Sequence, residues 1–181
     1  MARIPRVLSI AGTDPTGGAG IQADLKSIAA AGGYGMCVVT ALVAQNTQGV
    51  REIHTPPQAF LRSQLDAVFD DVEVDAVKIG MLGDAETTAT VADYLAAHPV
   101  PVVVVDPVMV ATSGDRLLTS DAEQALRQLV RDHATVVTPN IPELAALTGQ
   151  PEPDSFEAAV ALGRGYAREA DVNVLVKGGH L

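Results

Sequence analysis

The sequence predicts an α/β fold with a mainly parallel central sheet and helices on both faces. Short apolar runs rich in β-branched residues recur along the chain, and unbroken apolarity of this kind is typical of strands covered on both faces. Stretches with helical period separate these runs, so strand and helix alternate. The 181 residues are 48% hydrophobic, enough for one sizeable core. We therefore predict a single domain, 1–181.

The elements follow in order along the chain. The predicted strands are RVLSIA, MCVVTALVA, DAVKIG, VPVVVVD, ATVVT and VNVLVKG. The predicted helices span residues 21–31, 57–69, 85–97, 120–131, 143–147 and 155–169. Gly32 and Gly33 end the first helix, and Thr119 or Ser120 can cap the fourth. Right-handed crossovers then connect the parallel strands.

Composition limits the partners and the location. Lys and Arg number 12 against 22 Asp and Glu, a net charge of −10, which disfavours binding to nucleic-acid phosphates. The first apolar run is too short for a signal peptide, and no segment approaches the roughly 18 apolar residues of a membrane span. We expect a soluble, cytoplasmic protein. The single cysteine, Cys37, lies in an apolar run and is expected to be a buried free thiol.

The carboxyl ends of the predicted strands carry the polar residues. In parallel sheets ligands bind beyond these ends. The segments there are Gly12-Thr13-Asp14, Gln45-Asn46-Thr47, Gly80-Met81-Leu82, Asp106-Pro107-Val108, Thr138-Pro139-Asn140 and Lys177-Gly178-Gly179. We predict the functional site on this rim of the sheet.

The glycine-rich loop GTDPTGGAG, residues 12–20, follows the first strand. It lacks the Lys-Ser/Thr pair of a phosphate-binding loop. Gly18, Gly20 and Ala23 fit a dinucleotide pattern, but our second predicted strand ends in Gln45 and its neighbours where an acidic residue is required. A nicotinamide oxidoreductase is thus a distant alternative. The loop is either a tight turn only, or a wall that brings backbone amides close to a bound ring.

Five polar residues are candidates for binding or catalysis. Gln45 can pair with a ring nitrogen beside an exocyclic amino group, or it is simply solvated. Asn140 and Glu143 form a capping box, or Glu143 binds magnesium together with Asp106. The two carboxylates, Asp106 and Glu143, would repel each other without a nearby cation. Lys177 either neutralises a transferred phosphoryl group or is a solvated strand-end residue.

Two further patterns carry no predicted chemistry. The sequence TSGD at 112–115 looks like a catalytic Gly-Asp turn, but it lacks the glycine pair of an anion hole, so we interpret it as a surface turn. The histidines show no metal-ligand spacing, and we expect no zinc site. They are His54, His98, His133 and His180.

Six blocks of sequence together resemble one family. They are SIAGTDPTGGAGIQADLK, TALVAQNTQGV, DAVKIGML, VVDPVMVATSGDRLL, TPNIPELAALTG and VLVKGGHL, and they cover about residues 6–181. Their types and order resemble the hydroxymethylpyrimidine and phosphomethylpyrimidine kinases of thiamine biosynthesis, which are ribokinase-like enzymes.

The resemblance implies ATP-dependent, magnesium-assisted phosphorylation of 4-amino-5-hydroxymethyl-2-methylpyrimidine, and then of its monophosphate. It implies that Gln45 reads the aminopyrimidine edge and that Asp24 lies close to the ring pocket. The implied pocket lining is Gly12, Ala19, Val43, Met81 and Val108. The implied magnesium and phosphate side is Asp106, Asn140, Glu143 and Lys177. We also expect a homodimer.

Two alternatives stay open beside this function. A pyridoxal-type kinase of the same superfamily acts on a hydroxymethyl group of a similar nitrogen ring. A non-catalytic pyrimidine-binding module is the other, because the family's sequences continue for a C-terminal third through a Gly-Thr-Gly-Cys or Gly-Thr-Gly-Asp turn that supplies an anion hole and a base. Nothing in the 181 residues matches that turn, so we expect a truncated chain that is inactive or very weak alone.

Overall fold

A computed structural model describes residues 3–109 and 118–178. The strands are β1 (Arg6–Ala11), β2 (Tyr34–Val39), β3 (Leu42–Asn46), β4 (Gly49–His54), β5 (Ala76–Ile79), β6 (Val102–Val105), β7 (Val136–Val137) and β8 (Asn173–Val174). The helices are α1 (Gly20–Ala30), α2 (Gln58–Phe69), α3 (Ala85–Ala97), α4 (Ser120–His133), α5 (Ile141–Thr148) and α6 (Phe156–Ala170).

Six strands form a parallel sheet in the order β2-β1-β5-β6-β7-β8. From β1 the chain moves to β2 at one edge and then returns to β5 on the other side of β1. The order of the strands therefore reverses between β1 and β5, which is where such sheets bind ligands. This arrangement confirms the predicted α/β class.

Helices lie on both faces of the sheet, as predicted, but unevenly. One face carries Leu8, Ile10 and Val105, all fully buried in a single core with side chains of α2 to α6. Helix α1 covers the other face, where Leu25 and Ile28 approach the backbone of Gly35. Apolar side chains remain exposed farther along that face. Val102 is 42% exposed and Leu175 61%.

The prediction of one strand over MCVVTALVA was wrong. Strand β2 ends at Val39, and within the described residues β3 pairs only with β4, in an antiparallel two-stranded sheet. The chain leaves the main sheet at Thr40, whose hydroxyl donates to the carbonyl of Met81 (2.7 Å) and whose amide donates to Ala11 (3.0 Å). Strand β4 was not predicted because all six of its residues are exposed, which leaves no apolar pattern.

This correction moves Gln45 out of the main sheet. It lies in β3, next to a register shift between Ala44 and Gln45. The end of β2, where a dinucleotide-binding fold needs its acidic residue, is followed by Thr40. The argument against a nicotinamide cofactor used the wrong position, but the correct position carries no carboxylate either.

The helix ends match the predicted signals in part. Helix α3 has the predicted bounds. Its cap was not predicted: the Asp84 side chain accepts from the amide of Thr87. Thr119 is the N-cap of α4 but makes no side-chain cap bond. Cys37 is free, as predicted, but only partly buried, and its burial raises the pKa of the thiol. The TSGD sequence at 112–115 lies outside the described residues. Within those residues, no helix is long and apolar enough to cross a membrane.

Candidate functional site

The glycine-rich loop folds around its own carboxylate, Asp14. This side chain is only 3% exposed and accepts hydrogen bonds from the amides of Thr16 (2.9 Å), Gly18 (2.9 Å) and Ala19 (2.8 Å), and from the Thr16 hydroxyl (2.9 Å). Burial opposes ionisation, but hydrogen bonds from Thr16, Gln45 and Ala19 outweigh it and lower the pKa of Asp14 to about 2. The loop amides that would hold a phosphate are therefore occupied by the protein itself.

Sequence reasoning missed Asp14, although a local signal was present. The bond from the Thr16 amide to the Asp14 carboxylate spans two residues, which is an Asx turn, and Asp followed by Pro and Thr is typical of such turns. The remaining bonds to Gly18 and Ala19 depend on how the loop closes, which the residue types alone do not show.

The loop joins α1 by a very close backbone approach. The amide of Ile21 donates to the carbonyl of Gly12 at 2.9 Å, and Gly20 has a left-handed backbone, φ 56°. A Cβ added to Gly20 would lie 2.4 Å from that same carbonyl oxygen. Only glycine fits at position 20, because any side chain would displace the end of β1.

Three of the expected ring-pocket residues meet at the reversal point between β1 and β5. A Cβ added to Gly12 would lie 2.7 Å from Cε of Met81 and 3.6 Å from Cγ2 of Val43. Met81 is held through its carbonyl by Thr40, and Val43 by a bond from its amide to the Thr13 hydroxyl, 2.9 Å. The structure thus brings Gly12, Val43 and Met81 together and supports them with bonds to neighbouring segments.

The other ring-side candidates are held on neighbouring elements. Gln45 is half-buried in β3, and its side chain is among the groups that lower the pKa of the Asp14 carboxylate. Ala19 reaches the same carboxylate through its amide. Asp24 is held on the α1 face, where its carboxylate accepts from Ser9 Oγ (2.7 Å) and Lys78 Nζ (2.8 Å).

The charged candidates meet farther along the same rim, at the ends of β6, β7 and β8. Lys177 Nζ lies 2.6 Å from Asp106 Oδ1 and 3.8 Å from Glu143 Oε2. Asp106 also accepts from the Thr138 hydroxyl at 3.0 Å. Lys177 is aligned by a parallel bridge to Asn140. The structure therefore brings all four residues of the expected phosphate side together, and Val108 follows Asp106 two residues later.

Asn140 and Glu143 form the capping box that the sequence left open. Asn140 Oδ1 accepts from the Glu143 amide, and Glu143 Oε2 accepts from the Asn140 amide, both at 2.8 Å. Glu143 is 3% exposed. Burial raises the pKa of Glu143, although the Asn140 amide and the Lys177 charge oppose this effect. Glu143 therefore has a structural role whether or not it also binds an ion.

The donor set on this side suits a hard divalent cation. Asp106 and Glu143 offer carboxylate oxygens, the ligands that Mg²⁺ prefers, and Asp106 is the more accessible of the two. Among residues 3–109 and 118–178 no group of three or more His, Cys, Asp or Glu could hold a metal. An ion here would take its other ligands from water or from phosphate, which is how Mg²⁺ is commonly bound.

The fold is ribokinase-like, and the solved structures it resembles are small-molecule kinases. The crystal structure of phosphomethylpyrimidine kinase from Clostridium difficile 630 superimposes with a TM-score of 0.90 at 40% identity, covering 98% of this chain and 76% of that one. A family model described as phosphomethylpyrimidine kinase matches residues 14–181. The chain belongs to the phosphomethylpyrimidine kinase family.

Relatives differ in how much of their length the chain spans. The hydroxymethylpyrimidine/phosphomethylpyrimidine kinase of Salmonella typhimurium is 48% identical over the whole chain, which covers 68% of that protein. The thiamine biosynthesis multifunctional protein ThiED of Corynebacterium glutamicum is 65% identical, and the chain covers 98% of its own length but only 23% of that protein. A pyridoxal kinase from Staphylococcus aureus in complex with AMP-PCP is 31% identical with a TM-score of 0.86, over 99% of this chain and 64% of that one.

Proposed function

We propose that the protein transfers the γ-phosphoryl group of ATP to the hydroxymethyl oxygen of 4-amino-5-hydroxymethyl-2-methylpyrimidine, and then to the phosphate of the resulting monophosphate. The observation that carries this proposal is the meeting of Gly12, Val43 and Met81 at the β1/β5 reversal point. A glycine backbone beside two apolar side chains is the kind of surface against which a flat ring packs, and the charged residues lie on the same rim.

The ring side supplies recognition. Gln45 pairs with the ring nitrogen and the exocyclic amino group, because its amide has one acceptor and a two-proton donor. Gly12, Val43 and Met81 form the walls, and Ala19 and Val108 complete the lining. Asp24, which is bonded to Ser9 and Lys78 on the α1 face, would lie close to this pocket.

The phosphate side supplies charge. Lys177 is free to exchange its contact with Asp106 for a phosphoryl oxygen, because its side chain is 43% exposed. A magnesium ion held by Asp106, with Glu143 and Asn140 behind it, would neutralise further phosphate charge. The proton of the substrate hydroxyl leaves to a base outside the residues named here, and ADP is the leaving group. Positioning and charge stabilisation account for most of such catalysis.

The expectations of a homodimer and a cytoplasmic location remain part of the proposal. Three apolar side chains of the two-stranded sheet are more than half exposed, which supports contact with a second copy. They are Leu42, Val50 and Ile53.

The test replaces Gln45 by Ala in the complete gene product that contains these residues. Removing the hydrogen bonds that Gln45 would make to the bound ring costs about 1–3 kcal/mol, so pyrimidine affinity measured by calorimetry should fall roughly 10- to 100-fold. The matched control is Gln48→Ala, in the exposed turn between the same two strands. It should leave the affinity unchanged.

An ATP assay with competing pyrimidine and pyridoxine tests the substrate class. The aminopyrimidine should be phosphorylated in preference, whereas preference for pyridoxine would favour a pyridoxal-type kinase. Pyrimidine binding without ADP release in the complete gene product would indicate the non-catalytic module. Equal pyrimidine affinity in the Gln45→Ala and Gln48→Ala variants would contradict the role of Gln45.

A further inference from the structure

The last residue of strand β2 is paired with a side chain of helix α2. Strand β2 stands first in the main sheet, and in the described part of the chain its strand partner is β1. At Val39, where β2 ends, the backbone amide donates to Gln64 Oε1 at 3.0 Å, and Gln64 Nε2 donates to the Val39 carbonyl at 3.1 Å. Both backbone polar groups of Val39 are therefore paired with one glutamine.

The Gln64 side chain takes the place of a peptide group of a neighbouring strand. A primary amide has an acceptor oxygen and a donor nitrogen, so it can pair with a backbone N–H and a backbone C=O at once. Because the N–H only donates and the C=O only accepts, these two partners also fix the orientation of the amide. The helix that carries Gln64 is itself held in place, since Leu61 and Leu65 of α2 are fully buried in the core.

This pairing lies where the chain leaves the main sheet for the β3–β4 hairpin. The next residue, Thr40, bonds the last residue of β1 through its amide and the carbonyl of Met81 through its hydroxyl. Farther along, the amide of Val43 donates to the Thr13 hydroxyl of the glycine-rich loop. The sheet and the loop thus hold the start of the hairpin on one side, and Gln64 holds the preceding residue from α2.

The position of Val43 in the expected ring pocket is set just after this point. Val43 Cγ2 lies 3.6 Å from the place that a Cβ on Gly12 would occupy. Because Val43 follows Val39 closely in the chain, a change in backbone direction at Val39 is passed on to Val43. Gln45, the candidate for reading the ring edge, lies in the same strand.

We propose that Gln64 is a positioning residue, which sets the direction in which the hairpin leaves the sheet and so places strand β3 against the bound ring. This inference rests on the proposed function, because the ring contacts of Val43 and Gln45 belong to it. Both bonds of the Gln64 amide go to the backbone of Val39, and Gln64 acts through that residue.

The decisive variant is Gln64→Met in the complete gene product that contains these residues. Methionine keeps the length of the side chain but has no donor and only a weak acceptor, so both bonds to Val39 are lost. Two net hydrogen bonds correspond to a rise in KM for the hydroxymethylpyrimidine of about tenfold. The KM for ATP should not change, because the charged residues of the phosphate side lie at the ends of β6, β7 and β8.

The matched control is Gln58→Met on the same helix. Gln58 Nε2 donates to Thr87 Oγ1 of α3 at 3.0 Å, so this variant also loses a bond between two elements, but not one to the hairpin. Both of its KM values should equal those of the wild-type protein.

A merely structural role of Gln64 gives a different result. It predicts that Gln64→Met and Gln58→Met both lose apparent kcat through a smaller folded fraction, with both KM values unchanged. An unchanged pyrimidine KM in Gln64→Met, or an equal rise in the two variants, would overturn the inference and leave the proposed function intact. Failure of the proposed function is recognised separately, because the wild-type protein would then not phosphorylate the pyrimidine.

A second measurement does not require a variant that folds. In the wild-type protein, NMR should detect a hydrogen-bond coupling between the amide nitrogen of Val39 and Cδ of Gln64. Detection supports the pairing on which the inference depends. Absence of this coupling in a spectrum that resolves both residues overturns it.

Discussion

The ring side and the phosphate side of the rim are built from different kinds of interaction. On the ring side, partly buried hydrogen bonds between backbone and side-chain groups hold Asp14, Met81 and Val43. On the phosphate side, an exposed ion pair dominates, with the Lys177 side chain 43% exposed and that of Asp106 29%. The first is fixed by hydrogen bonds within the protein, whereas in the second a lysine of the protein pairs with the Asp106 carboxylate.

This difference predicts which substitutions should affect stability and which should affect the reaction rate. A change on the ring side should damage the fold and substrate binding together, because the same bonds serve both. A change on the phosphate side should lower the rate and leave the fold nearly untouched, since exposed ion pairs contribute about 0–1 kcal/mol. Three substitutions test the contrast.

The largest effect is expected for Gly20→Ala on the ring side. A left-handed backbone costs a non-glycine residue about 1–2 kcal/mol, and forcing a Cβ to 2.4 Å from the Gly12 oxygen adds about 1–3 kcal/mol of crowding. Urea unfolding should show a loss of several kcal/mol, accompanied by loss of pyrimidine binding.

The control for this prediction is Gly32→Ala. Gly32 has a φ of 83°, but a Cβ there would meet nothing within 4 Å. This variant bears the backbone cost alone, so it should lose about 1–2 kcal/mol and keep pyrimidine binding. Equal losses of stability in the two variants would show that the close approach of Gly20 to Gly12 is not what fixes the loop.

The next effect is expected for Lys177→Met on the phosphate side. Loss of a charge that stabilises the transferred phosphoryl group typically lowers kcat by about 10²–10³-fold, whereas the free energy of unfolding should change by less than about 1 kcal/mol. The rate is measured in an ATP assay on the complete gene product, and the stability by urea unfolding.

Arg131→Met is the matched control, because Arg131 forms a similarly exposed ion pair with Glu169 away from the rim. Its stability change should resemble that of Lys177→Met, and its rate should equal the wild-type rate. An unchanged kcat in the Lys177→Met protein would show that Lys177 does not stabilise the transferred phosphoryl group.

Much of the fold, and part of the difference between the ring side and the phosphate side, could be predicted from the sequence. Parallel strands and helix α3 were predictable because buried runs and a capping Asp84 are local signals. Strand β4 was not, since its exposed residues have no apolar pattern, and the break at Thr40 depends on contacts with the distant Met81. The local Asx turn of Asp14 with Thr16 was overlooked, and the bonds from Gly18 and Ala19 become evident only when the loop closes.

For the candidate site, too, the sequence alone could predict only part of what the structure shows. Gly12, Val43 and Met81 were expected to share a pocket through a family resemblance, and the structure brings them together. Residue types could not decide between the capping and metal roles of Glu143. The geometry shows that Glu143 caps helix α5, and its charge remains available to bind a metal ion. A variant that keeps the cap but removes the charge separates the two roles.

Glu143→Gln is that variant, and its effect on stability should be the smallest of the three. Glutamine keeps the capping box, because its amide oxygen can accept from the Asn140 amide. Burial raises the pKa of Glu143 above its usual 4.5, so the wild-type protein has this group's full contribution below pH 4.5 and loses it as pH rises through the folded pKa. The stability of Glu143→Gln relative to wild type should therefore increase from pH 4.5 to pH 7, because the wild-type protein comes to bury a charge over this range whereas glutamine stays neutral.

Glu143→Ala completes the comparison, since it removes the titrating group and also the cap. Urea unfolding across this pH range should give the two variants the same trend, with Glu143→Ala lower at every pH by about 0.5–2 kcal/mol, the typical cost of a lost cap. Both should be slow kinases if the carboxylate serves the phosphate side. A fully active Glu143→Gln protein would show that the carboxylate does not serve the reaction. A Glu143→Gln protein that becomes relatively less stable toward pH 7 would contradict the pH dependence inferred for Glu143.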